Sequence, residues 1–346
     1  MAKPKSQKGA SKVTEASAPL TQENFEKELQ ALAQKAKEQT LFNRAKDSAG
    51  TVFKVITILA VAAAFSAASQ LNLSPVYGAI PASIWHEQVV NAACFLGWSG
   101  SFWLRRKLRW RLIDLVPVIA FYIPTVQHLL FPFSGTLGAT NGPVVTEVLT
   151  LVPLLVLSAA CAGLLWDEFD IQGVWQFVPG TASFVFFKVA SSWSGNYMQR
   201  TASRTLLQTR LGYQVQLAAL YALLAPSKLL LYAVPALLHT AVFNTHVQSS
   251  WATQALNSTL AGQGYKLLAR QDSVTGYISV LESVKDHYRV LRCDHSLLGG
   301  EWLTHQNGDD IIVNEPIYAI FAMLEAVRLV EVPVSVPDVE AQALVM

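Results

Sequence analysis

Between Val55 and Phe243 the chain runs through 189 residues that carry only ten basic and six acidic side chains. A domain exposed to water on all sides needs more charge than this, so the stretch reads as a bundle of apolar helices that meets lipid. Over the whole chain 52% of residues are hydrophobic and 14% charged, with a formal net charge of +2. Crossing the hydrocarbon core takes about 20 mostly apolar residues, and about six windows meet that need. They are Val55 to Leu71, Val89 to Leu104, Leu112 to Phe131, Val144 to Trp166, Val174 to Trp193, and Leu211 to Phe243, the last interrupted by Pro226 and Lys228.

Basic residues orient such a bundle, because positively charged loops stay on the cytosolic side. Lys3, Lys5, Lys8 and Lys12 lie in the N-terminal tail, Arg44 and Lys46 precede the first window, and Arg105, Arg106, Lys107, Arg109 and Arg111 follow the second. The expectation is an integral, multi-pass membrane protein with both termini in the cytosol. The first 50 residues lack the apolar core of a secretory signal. Residues 22–46 alternate charge with apolar positions and predict a helix.

Candidate chemistry in the apolar part is sparse. Cys94, Cys161 and Cys293 show no metal-binding or disulfide spacing. His239 and His246 read as an interfacial pair. Among the charges inside the windows, Asp114 follows Arg111 at helical spacing and predicts an ion pair, while Glu147 and Lys188 lie near window ends. Asn72 and Asn257 each begin an Asn-x-Ser/Thr acceptor.

The C-terminal part has a different texture. Gly276 to Ser283 and His287 to Cys293 read as two strands, followed by a turn through Asp294 to Gly300. Pro316 suits the first turn of a helix over Glu315 to Leu329, in which Ile317, Ile320, Phe321, Leu324 and Val327 form one apolar face. Ala341 to Met346 reads as a buried strand.

The phrase Leu291-Arg-Cys-Asp-His-Ser-Leu-Leu-Gly-Gly-Glu-Trp302, with the helix from Glu315 to Arg328, resembles the fungal membrane-anchored spermidine/spermine synthase-like proteins, relatives of the polyamine aminopropyltransferases. The resemblance implies a small β-domain over 273–332 and a doubly wound cofactor domain after it. It places Asp294, Glu315 and Tyr318 on substrate-binding positions. The family's Tyr-Gln pair falls on Thr275 and Gly276, and its Gln after the helix Tyr on Ala319. It also implies a homodimer through the β-domain.

These readings combine into one expectation. An α-helical membrane bundle of about six spans is followed by a small β-rich domain with one helix, without a complete Rossmann-type domain. The parts are a tail and surface helix over 1–50, a transmembrane region over 51–243, a linker over 244–272, the β-domain over 273–332 and the start of a cofactor domain over 333–346. The lipid bilayer is the expected partner, with no nucleic acid and no metal. No cofactor is expected for the chain itself; decarboxylated S-adenosylmethionine or S-adenosylmethionine enters only with a further C-terminal domain. The chain is then an aminopropyltransferase-like or methyltransferase-like protein that is noncatalytic as it stands, and the alternative is a noncatalytic small-solute transporter or scaffold.

Overall fold

The computed structural model describes residues 22–202, 204–305 and 312–316. The chain divides into two compact units, residues 1–53 and 54–346. In the first, the described residues are helical and belong to α1 (Gln22–Tyr77). The charged helix expected over 22–46 and the apolar stretch from Val55 are therefore one continuous helix. Only Gly50 interrupts the side chains near their junction, and a single helical glycine costs about 1 kcal/mol without ending a helix.

In the second unit α1 is followed by α2 (Ala79–Ile84), α3 (His86–Ser99), α4 (Ser101–Lys107), α5 (Leu112–Leu130), α6 (Ser134–Leu149), α7 (Leu151–Trp166), α8 (Val178–Thr201), α9 (Arg210–Leu224), α10 (Val234–Val242) and α11 (Ser250–Ala261). Among the described residues, three helical stretches are long and apolar enough to cross a membrane by length and composition: Ala45–Tyr77, Leu112–Leu149 and Leu151–Phe169. The other windows break. Residues 89–104 divide at Gly100 between α3 and α4, residues 174–193 begin in the 3₁₀ turn Gly173–Phe177, and residues 211–243 divide between α9 and α10.

Much of the apolar content turns inward. Phe65, Leu73, Val116, Ala120, Ile123, Leu151, Leu154 and Tyr221 are each 0–1% exposed, and fully burying a large apolar side chain stabilises by about 1.5–3 kcal/mol. Hydropathy counts apolar residues without seeing what they touch, so it reads a core helix and a lipid-facing helix alike. The expected six-span bundle is corrected accordingly, to a packed helical core joined to an antiparallel sheet. Helices α3 and α7 approach closely at Gly97, where a Cβ would lie 2.4 Å from the Val156 carbonyl oxygen.

The sheet is a five-stranded antiparallel meander, with β1 (Tyr265–Asp272), β2 (Tyr277–Ser283), β3 (Tyr288–Cys293), β4 (Ser296–His305) and β5 (Ile312–Pro316) adjacent in chain order. A bulge lies between Leu267 and Ala269. Across β2, β3 and β4, Glu282, Arg289 and Glu301 stand opposite one another, and Tyr288 packs edge-on to Trp302 at 5.5 Å. Such cross-strand pairs fix register.

Three expectations differ from what is found. Residues 244–272, expected as a linker, hold α11 and β1. The turn expected over 294–300 is only Asp294 and His295, because Ser296 already begins β4. Glu315 and Pro316 close β5 instead of opening a helix; the remainder of that helix and the strand at 341–346 lie outside the described residues.

Candidate functional site

A cavity of about 220 Å³ lies within the second unit, where α1, α5 and α9 meet the loop after α10 and the strands β1 to β3. Its charged wall is organised by Arg210, the first residue of α9. The opening N–H groups of a helix have no partner within it. The Arg210 backbone N–H donates to Asp272 Oδ2 at 2.9 Å, and the Thr209 side chain caps the same turn. A carboxylate at a helix N-terminus also meets the positive end of the helix dipole. The Arg210 guanidinium donates to Asp294 Oδ1 at 3.1 Å and its carbonyl accepts from Asn72 at 3.2 Å, tying α9 to the β3–β4 hairpin and to α1.

Asp294 is placed by local geometry. Its φ of 49° is left-handed, a conformation Asp tolerates in a two-residue hairpin connection. Its carboxylate accepts from the Tyr277 N–H at 2.7 Å and from Ser74 Oγ at 2.7 Å, besides Arg210. The backbone of Gly276 opposite it has a φ of 153°, and a Cβ there would lie 2.7 Å from Cys293 Sγ and 2.9 Å from Asp294 Oδ2. His295 Nε2 donates to the Val76 carbonyl oxygen at 2.6 Å.

Arg270 on β1 holds the loop after α10 by donating to the carbonyl oxygens of Thr245 at 2.6 Å and Val247 at 2.8 Å. Burial raises the Asp272 carboxyl above its ordinary value, with Arg210 pulling the other way. Burial likewise raises the Tyr277 phenol. His246 is pushed down to about 4, first by burial and then by its neighbours His128 and Arg270.

The opposite wall is neutral. Gln214 Nε2 donates to Gln127 Oε1 at 3.1 Å, which leaves Gln127 Nε2 and Gln214 Oε1 buried with no partner, together with His128 Nδ1. The two glutamines are 3% and 1% exposed. His128 packs edge-on to His239 at 5.3 Å and to His246 at 5.8 Å, and Phe131 closes on His246 at 5.3 Å. Among the described residues no group of His, Cys, Asp and Glu is arranged to hold a metal ion.

Of the residues singled out from sequence, Asp294 lines the cavity. Glu315 stands opposite Trp302 in the β4–β5 register, and Tyr318 lies outside the described residues. The His239–His246 pair gains a third ring, His128. Asp114 pairs with Arg111 at 2.9 Å, and Lys188 with Glu87 at 2.8 Å. Glu147 is not at an interface but 1% exposed, bonded to His86, whose other nitrogen meets Ser66 Oγ at 3.1 Å. That Ser–His–Glu order has the form of a hydrolytic triad, yet Ser66 is itself 1% exposed, so the three residues brace α1, α3 and α6. Asn257 pairs its amide with both the N–H and the carbonyl of Leu267, at 2.7 and 3.0 Å. The Gln127–Gln214 pair and Arg210 were invisible as site residues in the sequence, since their partners lie far along the chain.

No family model matches the chain, and no solved structure matches it. A curated protein of Emericella nidulans named N-terminal histidine N-methyltransferase is 41% identical over 302 residues, which are 86% of this chain and 54% of that protein. The chain thus spans about half the length of the curated relative it matches.

That relative overturns several expectations. A protein named a methyltransferase matches most of the chain, so the spermidine synthase-like assignment and the polyamine chemistry that came with it do not stand. The noncatalytic reading falls with them, in both its truncated-enzyme and its transporter or scaffold forms. So does the multi-pass membrane localisation, which rested on apolar composition alone. The expectation of no cofactor is corrected as well, because the relative is named for methyl transfer, which draws on a donor such as S-adenosylmethionine.

The cavity described here does not fit that donor. At about 220 Å³ it is smaller than the roughly 300–1,000 Å³ of pockets for drug-sized ligands. Both its carboxylates are already engaged, Asp272 by Arg210 and Asp294 by Arg210, Ser74 and the Tyr277 N–H. It matches a ligand the size of one amino-acid side chain.

Proposed function

We propose that this chain is part of an N-terminal histidine N-methyltransferase, an enzyme that adds a methyl group to the first residue of a histidine-initiated polypeptide with S-adenosylmethionine as donor. The observation that carries the reading is 41% identity sustained over 302 residues, 86% of this chain. The cavity's size and neutral polar wall suit an acceptor side chain better than a nucleoside donor. Asp294 in this reading is a positioning residue: it fixes the hairpin and holds Arg210, and through them the shape of the cavity.

The test incubates the full protein with S-adenosylmethionine and two peptides that differ only in beginning with His or Ala. The expected product is the His peptide heavier by one methyl group, with fragment masses placing that group on residue one. Methylation of neither peptide, or of both equally, overturns the reading.

A further inference from the structure

A buried amide with an unmade hydrogen bond is destabilising, and this cavity keeps two of them side by side. Gln127 and Gln214 spend one bond on each other and leave one donor, Gln127 Nε2, and one acceptor, Gln214 Oε1. Rotating both amides only exchanges which glutamine offers which group, so the pair always presents one N–H and one oxygen. A third unpartnered atom, His128 Nδ1, lines the same space. The lining also includes apolar and aromatic surfaces, from Pro124, Phe131, Leu211 and the His246 ring. Arg210, Arg270, Asp272 and Asp294 are held by one another, by backbone or by hydroxyls, so the glutamine pair, with His128 Nδ1, is the buried part of the wall whose polar atoms lack a partner.

The ligand this wall calls for is small, flat and neutral, with a ring N–H beside a polar group that accepts. Resting on the methyltransferase reading above, we infer that the Gln127–Gln214 pair binds the neutral imidazole of the acceptor's N-terminal histidine. The free amide oxygen takes the ring N–H and the free amide N–H donates to the acceptor's backbone carbonyl. Which ring nitrogen of a histidine keeps the proton is set by the hydrogen bond that proton makes. Holding one N–H on a glutamine oxygen therefore leaves the lone pair on the other nitrogen alone, and only that nitrogen can take the methyl group: its N–C bond forms as the S–C bond of the sulfonium donor breaks, the thioether leaves, and the methylated imidazolium gives up its remaining N–H proton to solvent.

The experiment uses the full protein and the variants Gln127→Leu and Gln214→Leu, with a His-Gly-Gly peptide as probe. Calorimetric binding of the peptide, KM, kcat and the ratio of the two methylhistidine isomers are read together. Each variant is expected to weaken binding and raise KM roughly tenfold, the value of one buried hydrogen bond, with a smaller change in kcat and a mixed isomer ratio where wild type gives one isomer. Free imidazole competes with the peptide for the wild-type protein, a readout that needs no variant to fold. Variants that melt like wild type yet keep its affinity and its single isomer overturn the inference while leaving the activity standing. Wild-type protein that binds the peptide in competition with imidazole but transfers no methyl group upholds the site and overturns the activity. Absence of both binding and imidazole competition overturns the site.

Discussion

The Arg210 guanidinium meets Asp294 at 3.1 Å, joining the first turn of α9 to the β3–β4 hairpin 84 residues further along the chain. Arg210 is also the partner of Asp272, by its backbone N–H at 2.9 Å and by its side chain at 3.8 Å. One cation thus faces a buried carboxylate, Asp272, and a half-buried one, Asp294.

Removing it takes the nearest cation from both, leaving Asp272 to the weaker pull of Arg270 and Asp294 to the Tyr277 N–H and Ser74. Arg210→Ala is expected to cost about 3–5 kcal/mol, the range for breaking a buried pair from one side. Asp294→Asn keeps an oxygen for the Tyr277 N–H and loses only the charge, so it is expected to cost about 1–3 kcal/mol. The ranking is read from urea midpoints at unchanged slope. An Arg210→Ala protein within about 1 kcal/mol of wild type, as an exposed pair would give, contradicts the buried balance.

His246 sets the acid limb. Its value is pushed down to about 4, so the folded protein holds it neutral while the unfolded chain protonates near 6.5. Its contribution is fully present above pH 6.5 and is lost as pH falls toward 4, at most about 3 kcal/mol by linkage. Asp272 acts in the opposite sense: with its carboxyl raised, folding favours its protonated form, so it regains stability as pH falls. His246→Phe keeps a ring against Phe131 and is expected to flatten the fall in melting temperature between pH 6.5 and 4. An unchanged profile shows that another group governs the limb.

Two helical glycines give a matched contrast. At Gly97 a Cβ would meet the Val156 carbonyl oxygen at 2.4 Å and the Ala159 Cβ at 2.9 Å, both on α7, whereas Gly50 has nothing within 4 Å. Gly97→Ala is expected to destabilise by about 1–3 kcal/mol through overpacking. Gly50→Ala is expected to be neutral or stabilising by up to about 1 kcal/mol from helix propensity. Equal melting temperatures for the two variants would mean that α3 and α7 are not in contact at Gly97.

What the sequence disclosed follows the range of the interaction. The Arg111–Asp114 pair lies three residues apart on the chain and was legible from spacing, as were β2 and β3 from their alternation. Glu147 was misplaced because its partner His86 is 61 residues away. The glutamine pair was invisible for the same reason, its members being 87 residues apart. Six windows were counted as spans because apolar composition is shared by core and lipid-facing helices, and only contacts separate them. Asp294 was noticed through a family resemblance that the methyltransferase relative does not sustain, whereas its hydrogen bonds give it a place at the cavity on physical grounds.

The hairpin that carries Asp294 depends on Gly276. At a φ of 153° a side chain is strained, and a Cβ would press on Cys293 Sγ at 2.7 Å and on Asp294 Oδ2 at 2.9 Å. Gly276→Ala is therefore expected to displace Asp294 from the Tyr277 N–H, costing about 1–3 kcal/mol for the strained backbone, and to raise KM for the His peptide. Replacing Cys293 by Ala removes one of the two clashes but neither the strain nor the contact with Asp294. The double variant is thus expected to recover part of the loss, with a coupling energy of about 0.5–3 kcal/mol in a double-mutant cycle. Full recovery would place the whole cost on the sulfur, and no recovery would place it on the backbone and Asp294 alone.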